Sequence, residues 1–156
     1  MPEDVELING IGSVRSMVLR RIIYEKFHQL GFRFHSVTHP SAVICGNAVL
    51  GEGVQILAGA VVGVQAEIGT DTIINTKASV DHGCRIGKHV HIAPGCTLSG
   101  GVVVGDETHI GTGTTVIQGI HIGSHCCIGA GSVVVRDVPD GCVAYGVPAR
   151  IRMESG

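Results

Sequence analysis

Tryptophan is absent from this 156-residue chain, and aromatic residues make up only 3% of it. A broad core sealed by stacked rings is therefore excluded, and a narrow interior filled by small aliphatic side chains remains. Charge is sparse too. Charged residues make up 15% and the net charge is −2, which gives no basic surface for nucleic acid. No apolar run is long enough to span a membrane. Met1–Gly12 lacks the pattern of a signal peptide, so a cytoplasmic protein is the expectation. The six cysteines form no Cys-x-x-Cys pair, which leaves little basis for a zinc or redox centre. A chain of this length can bury roughly two thirds of its unfolded surface, as one domain or one domain with a fragment attached.

What the chain does have is a period of six. Every sixth residue from Ile44 to Val134 is Ile, Leu or Val, sixteen in succession. A second column, four residues after each aliphatic, runs from Ala48 to Val138 and is small or β-branched except at Ile120. Glycine follows the aliphatic at eight of the sixteen places. A fixed short period marks a solenoid, and a hexad marks a parallel β-helix. Each hexad supplies a short strand and a corner. The aliphatic points into a narrow prism, and its neighbour points out. The second column sits at a crowded corner where a small side chain fits. Glycine provides positive φ or close backbone approach at the bends. Three hexads close one triangular turn, so residues eighteen apart stack at about 4.8 Å. Cys84, Cys96 and Cys126 fall in the small column and read as compact hydrophobes.

Residues 1–36 lack the hexad rhythm and read as a small partial α/β segment. Val5–Gly12 is a short strand ending in a Gly turn. A helix follows, capped by Ser13 or Ser16, with apolar residues at Leu19, Ile22, Ile23, Phe27 and Leu30, and stopped at Gly31. Phe32–Ser36 is a second strand. The piece is too small to bury both faces alone and resembles the end of a larger α/β unit. The β-helix occupies 37–138, and 139–156 form a C-terminal cap over the open prism.

Nine histidines are the chief chemical candidates. His28 and His35 read as surface residues, and His39 shapes the entry to the solenoid. His121 and His125 have no partner that spacing identifies. His89 and His125 lie two turns apart, roughly 10 Å, too far to share a metal ion in one chain. His91 and His109 lie eighteen apart and must stack. His82 projects from a prism corner two residues after the inward Val80. A neutral imidazole there can accept a proton from an amine or hydroxyl as a general base. Neither Ser nor Cys sits beside it as a nucleophile, and Cys84 points into the wall, so direct transfer is expected.

Several blocks narrow the reading: His39–Ala42, Ile73–Thr76, Asp81–Cys84, His91–Gly95, Ser99–Val102, Gly129–Val134 and Tyr145–Arg150. Together they resemble the left-handed β-helix sugar O-/N-acetyltransferases. The nearest group acetylates nucleotide-linked 4-amino sugars of the bacillosamine and perosamine type, and sialic acid O-acetyltransferases are close relatives. The resemblance implies a left-handed coil, homotrimers, a nucleotide-sugar acceptor and acetyl-CoA as cosubstrate lying between neighbouring prisms, with no metal. It implies His82 as general base, Asn75 beside it and His91 near the thioester. It implies backbone contacts of Thr112 and Ala130 with the pantetheine arm, Arg150 near the nucleotide end of CoA, and Gly12 lining the sugar-nucleotide pocket.

Two departures stand out. Many members carry an acid directly after the catalytic His, where this chain has Gly83; Asp81 or a backbone carbonyl is then expected to orient the ring. The chain also starts about where the family's third strand starts, so an incomplete sugar-nucleotide pocket and weak acceptor binding are expected. Other readings of the solenoid are sialic acid or other sugar O-acetylation, a catalytically impaired trimeric scaffold, and a γ-type carbonic anhydrase. The last would need stoichiometric zinc, and the spacing of His82, His91 and His109 does not reproduce its ligand set.

Overall fold

A computed structural model describes residues 4–13 and 16–152. The chain is a left-handed parallel β-helix preceded by one strand–helix–strand unit and followed by a hairpin. The prism has three faces. The first carries strands at Val37–Thr38, Gln55–Ile56, Ile73–Ile74, His91–Ile92, His109–Ile110 and Cys127–Ile128. The second runs from Val43–Ile44 to Val133–Val134, and the third from Val49–Leu50 to His121–Ile122. Every pairing among these solenoid strands is parallel with a register of one turn: Ile74 stands opposite Ile92, and Ile92 opposite Ile110.

The inward column behaves as its spacing requires. Ile56, Val62, Ile74, Val80, Ile92, Leu98, Ile110, Val116, Ile122 and Ile128 are fully buried. Ile44 and Leu50, in the first turn, are only half-buried, because no turn lies beneath them. Threonines in the small column satisfy their hydroxyls against the next turn: Thr72 and Thr108 donate to the carbonyls of Gly87 and Gly123 at 2.8 and 2.7 Å. A polar side chain at that corner therefore costs little.

The two uses expected of glycine fall in different columns. The glycine after each aliphatic serves close approach: a Cβ on Gly51 or Gly111 would meet the main-chain nitrogen of Thr70 or Ala130 at 2.6 Å. Positive φ occurs two residues later. Gly83 has φ of 64° there, and Asp71, Lys77 and His89 adopt 55°, 57° and 53° in the same column.

In the N-terminal unit, β1 (Glu6–Leu7) and β2 (Arg33–Phe34) pair in parallel across helix α1 (Val18–Gln29). The helix starts after Met17. Ser16 Oγ accepts from the Val18 N–H at 3.3 Å, whereas Ser13 bonds elsewhere. Gly31, with φ of 87°, ends it, and its N–H bonds the His28 carbonyl. The buried residues of α1 are not its apolar ones. Arg20 and Tyr24 face the solenoid with Met17, while Val18, Leu19, Ile22 and Leu30 are exposed. The reason is electrostatic. Arg20 Nη2 pairs with Asp71 at 2.7 Å, both side chains being essentially excluded from solvent. The guanidinium also donates to the carbonyls of Asn9, Ile11 and Asp71 at 2.8, 2.7 and 3.1 Å. Asn9 Nδ2 and His89 Nδ1 complete the shell of Asp71. Tyr24 stacks on Phe34 at 4.4 Å between centroids and meets the edge of His89.

The chain leaves the third face through Val138, bridged to Ile122, and forms a hairpin of Val143–Gly146 and Ala149–Arg152. Val143 pairs with Cys127, so the hairpin extends the first face. Among the described residues no helix is long and apolar enough to cross a membrane.

Candidate functional site

The outward positions of the first face hold Ile73, His91 and His109 in a stack. Outward residues of a solenoid normally meet water, yet these three are buried. The N-terminal segment covers this face: Gln55 Nε2 donates to the Asn9 carbonyl at 2.8 Å, and Ser13 Oγ lies 2.9 Å from His91 Nδ1. On the other side of the ring, Asn75 Nδ2 lies 2.9 Å from His91 Nε2. Asn75 Oδ1 in turn accepts from the Thr76 N–H at 2.7 Å. His109 packs edge-on against His91, with centroids 5.0 Å apart. Burial, with the neighbouring His109, pulls the His91 pKa down to about 4. Burial lowers that of His109 too. Both rings are therefore neutral at pH 7, when each can accept as well as donate. Among the described residues, His109 Nδ1 is buried without a hydrogen-bond partner.

Gly12 precedes Ser13, and a Cβ there would meet nothing within 4 Å. Chain connectivity thus brings Gly12 beside the His91 cluster, in open space. Thr112 and Ala130 lie exposed, one turn apart, on the ridge between the first and second faces, where the Gly131 N–H bonds the Thr112 carbonyl at 2.8 Å. Asn75 begins a turn of the same ridge. Arg150 lies in the hairpin beyond the end of that face, against a shallow cavity of about 180 Å³ that Arg136 also lines.

His82 occupies the next ridge, between the second and third faces, and is exposed. Its main-chain N–H donates to Asp81 Oδ1 at 2.6 Å. Asp81 thus holds the backbone of His82. Its ring lies over Gly100, one turn on, and a Cβ at Gly100 would overlap it. Gly83, the following residue, has open space around it. Cys84 is fully buried, donates to the Ser99 carbonyl at 3.3 Å, and has its thiol pKa raised by burial. It cannot serve as a nucleophile in that state.

Within one chain, then, Gly12, Asn75 and His91 come together, Thr112 and Ala130 share their ridge, and His82 stands on a different ridge across the second face. The spacing of eighteen gives the His91–His109 stack, whereas Ser13 as a partner of His91, and Gly100 beneath His82, are not singled out by the sequence reading. The spacing of eighteen between His82 and Gly100 was the signal for the last. By position Ser13, like Ser16, suits a helix cap, and no local pattern joins it to His91. The remaining histidines have local roles. His28 and His35 are exposed, His35 beside Glu6 at 2.8 Å. His39 Nδ1 meets the Ser41 hydroxyl at 2.8 Å, and His125 lies 3.8 Å from Glu107. Among the described residues no three His, Cys, Asp or Glu side chains gather as a metal site.

Residues 65–100 and 101–136 match the bacterial transferase hexapeptide family of six-repeat units. The acetyltransferase domain of PglB from Neisseria gonorrhoeae FA1090, solved also in complex with acetyl coenzyme A, is 38% identical. That match covers 97% of this chain and 73% of that one, with a TM-score of 0.91. PerB from Caulobacter crescentus, in complex with CoA and GDP-perosamine, is 44% identical over 90% of this chain and 68% of its own, with a TM-score of 0.87. WeeI from Acinetobacter baumannii AYE is 29% identical over 89% and 68%, with a TM-score of 0.85. Hexads throughout the solenoid, and a likeness to the PglB acetyltransferase domain that covers 97% of the chain, lead to one assignment: the chain belongs to the hexapeptide-repeat family of bacterial transferases, as an acetyltransferase.

Proposed function

We propose that this chain transfers the acetyl group of acetyl-CoA to the amine of a nucleotide-linked amino sugar. The observation that carries the reading is the likeness, over nine tenths or more of the chain, to enzymes solved with acetyl coenzyme A or with CoA and GDP-perosamine. In this reading His82 takes the proton from the sugar amine as the nitrogen attacks the thioester carbonyl. A backbone N–H receives the developing oxyanion, and CoA leaves as the thiol. Transfer is direct, which the buried state of Cys84 supports. Asp81 positions His82 through its main chain, and Asn75 and His91 line the same reaction space. The acetyl donor runs along the ridge of Thr112 and Ala130 toward Arg150, while Gly12 borders the sugar nucleotide.

The working unit is a homotrimer. One prism keeps His82 on a ridge apart from Asn75, His91 and Thr112, so a complete site calls for the His82 ridge of one protomer against the other ridge of its neighbour. Nucleotide sugars and acetyl-CoA are cytoplasmic metabolites, and the enzyme is assigned to that compartment.

The test is thiol release from acetyl-CoA against UDP- and GDP-linked 4-amino sugars and sialic acid, with His82→Ala as control. Release with an amino sugar alone, lost in the variant, is the expected result. Release only with sialic acid would assign the O-acetyl reaction instead. A folded trimer that binds acetyl-CoA yet turns over none of these would identify an impaired scaffold.

A further inference from the structure

The hydrogen bonds around His91 have a direction that heavy-atom positions alone decide. The Thr76 main-chain N–H can only donate, so the Asn75 atom it meets at 2.7 Å must be the carbonyl oxygen. That fixes the Asn75 amide, and the atom 2.9 Å from His91 Nε2 is therefore its NH₂ group. An NH₂ donates, so His91 Nε2 must be the bare nitrogen. A neutral imidazole then carries its proton on Nδ1, and that proton points to Ser13 Oγ at 2.9 Å. Ser13 consequently accepts. A hydroxyl that accepts one bond keeps its own proton to donate. The relay runs Thr76 to Asn75 to His91 to Ser13 and leaves the Ser13 O–H available at its end, on the segment that carries the open Gly12.

We propose that Ser13 is a positioning and specificity-determining residue of the acetyl transfer, accepting the proton that Asn75 directs to His91 Nδ1 and donating its own hydroxyl proton to an oxygen of the acceptor sugar. The acceptor half of this rests on the function proposed above; the relay half does not. The fit of residue to task is physical. Ser13 is half-buried and tied to the solenoid through His91. It belongs to the N-terminal unit, whereas Asn75 and His91 belong to the β-helix. An acceptor bound at Gly12 would thus be linked by one hydroxyl to the ring that faces the reaction. Serine suits the position because it is both acceptor and donor at once; alanine can be neither, and threonine can be both.

The test begins with the full chain labelled with ¹⁵N-histidine. Long-range ¹H–¹⁵N spectra read the protonation of each ring nitrogen directly and need no turnover. At pH 7, His91 is expected to show a single Nδ1–H pattern. Ser13→Ala is expected to keep that pattern, held by Asn75, but to move the Nδ1 proton upfield as its acceptor is lost, and Ser13→Thr to restore its position. In assays with GDP-perosamine or a UDP-linked 4-amino sugar, Ser13→Ala should raise the acceptor KM between about threefold and tenfold, the worth of one hydrogen bond, and leave the acetyl-CoA KM unchanged. An Nε2–H pattern for wild-type His91, or a Ser13→Ala spectrum identical to wild type, would overturn the relay. A rise in the acetyl-CoA KM with the acceptor KM unmoved would overturn the specificity role. A wild type that neither binds nor acetylates any of these sugars would remove the acceptor half along with the function it rests on, while the spectra would still decide the relay.

Discussion

At the scale of single residues, two histidines are governed by what lies one turn away. His82 keeps its ring over Gly100 only because that residue has no side chain. Gly100→Ala should displace the imidazole by about an ångström and lower kcat/KM by roughly a hundredfold, the usual cost of such a misplacement. The melting temperature should move little, since the ring is exposed and can swing away. Steady-state rates beside a thermal melt would check both statements. His91 makes a prediction about pH. Its pKa is about 4 when folded, against 6.5 when unfolded. Between those values the unfolded chain binds the proton and the folded chain does not. The contribution of His91 to stability is therefore complete above about pH 6.5, falls as the pH drops through the window, and is lost below about pH 4. The slope attributable to it is roughly 1.4 kcal/mol per pH unit. Urea unfolding from pH 7 to pH 4 should show this decline, and His91→Asn should flatten it. Neither residue relation was legible locally. The His91–His109 stack was, because a common spacing of eighteen announced it.

At the scale of elements, the strands could be read from the sequence and the helix could be read only in part. Each strand repeats the same environment, so a period in the chain maps directly onto an inward column. Helix α1 has no repeat to average over. Its C-terminal end followed from Gly31, but its start falls after Met17 without a serine cap, and its buried side followed from Arg20 meeting Asp71, a residue 51 positions later. Apolar periodicity points to Leu19, Ile22 and Leu30, the side left exposed. A buried ion pair is strongly destabilising when broken by half and far less so when removed whole. Arg20→Ala should accordingly cost about 3–5 kcal/mol, because it strands the Asp71 carboxylate in a dry site. The double change Arg20→Met with Asp71→Asn, which removes both charges and keeps a residue tolerant of the positive φ at 71, should recover much of that loss. Exposed Leu19→Ser should stay within about 0.5 kcal/mol of wild type. Chemical denaturation of the three variants tests the electrostatic account of how α1 docks. The corner conformation was also hidden. Glycine after the aliphatic was visible, whereas the left-handed position two residues later is filled as readily by Asp71, Lys77 or His89 as by Gly83.

At the scale of the whole molecule, stability is a sum over stacked turns and their interfaces. Insertions should therefore be judged by phase. A second copy of residues 115–132 placed after residue 132 adds one full turn and returns the chain to the same face. This variant should fold with a melting temperature within a few degrees of wild type. Duplicating residues 129–134 alone, between Cys127 and Val143, rotates all that follows by one face. Val143 would then no longer meet Cys127, and the hairpin that closes the first face would be lost. Hydrogen exchange at Val143–Gly146 should be slow in the first variant and fast in the second.

The uniform register has a temporal meaning as well. Each solenoid strand needs only the turn just completed, so a chain emerging from the ribosome can wind as it is made. The N-terminal unit is different. Its anchors lie far downstream: Asn9 waits for Asp71, 62 residues on, and Ser13 for His91, 78 residues on. This unit, though synthesised before the solenoid, thus settles only after the turns that carry Asp71 and His91 have formed. Its docking signals that the turns beneath the reaction centre already exist.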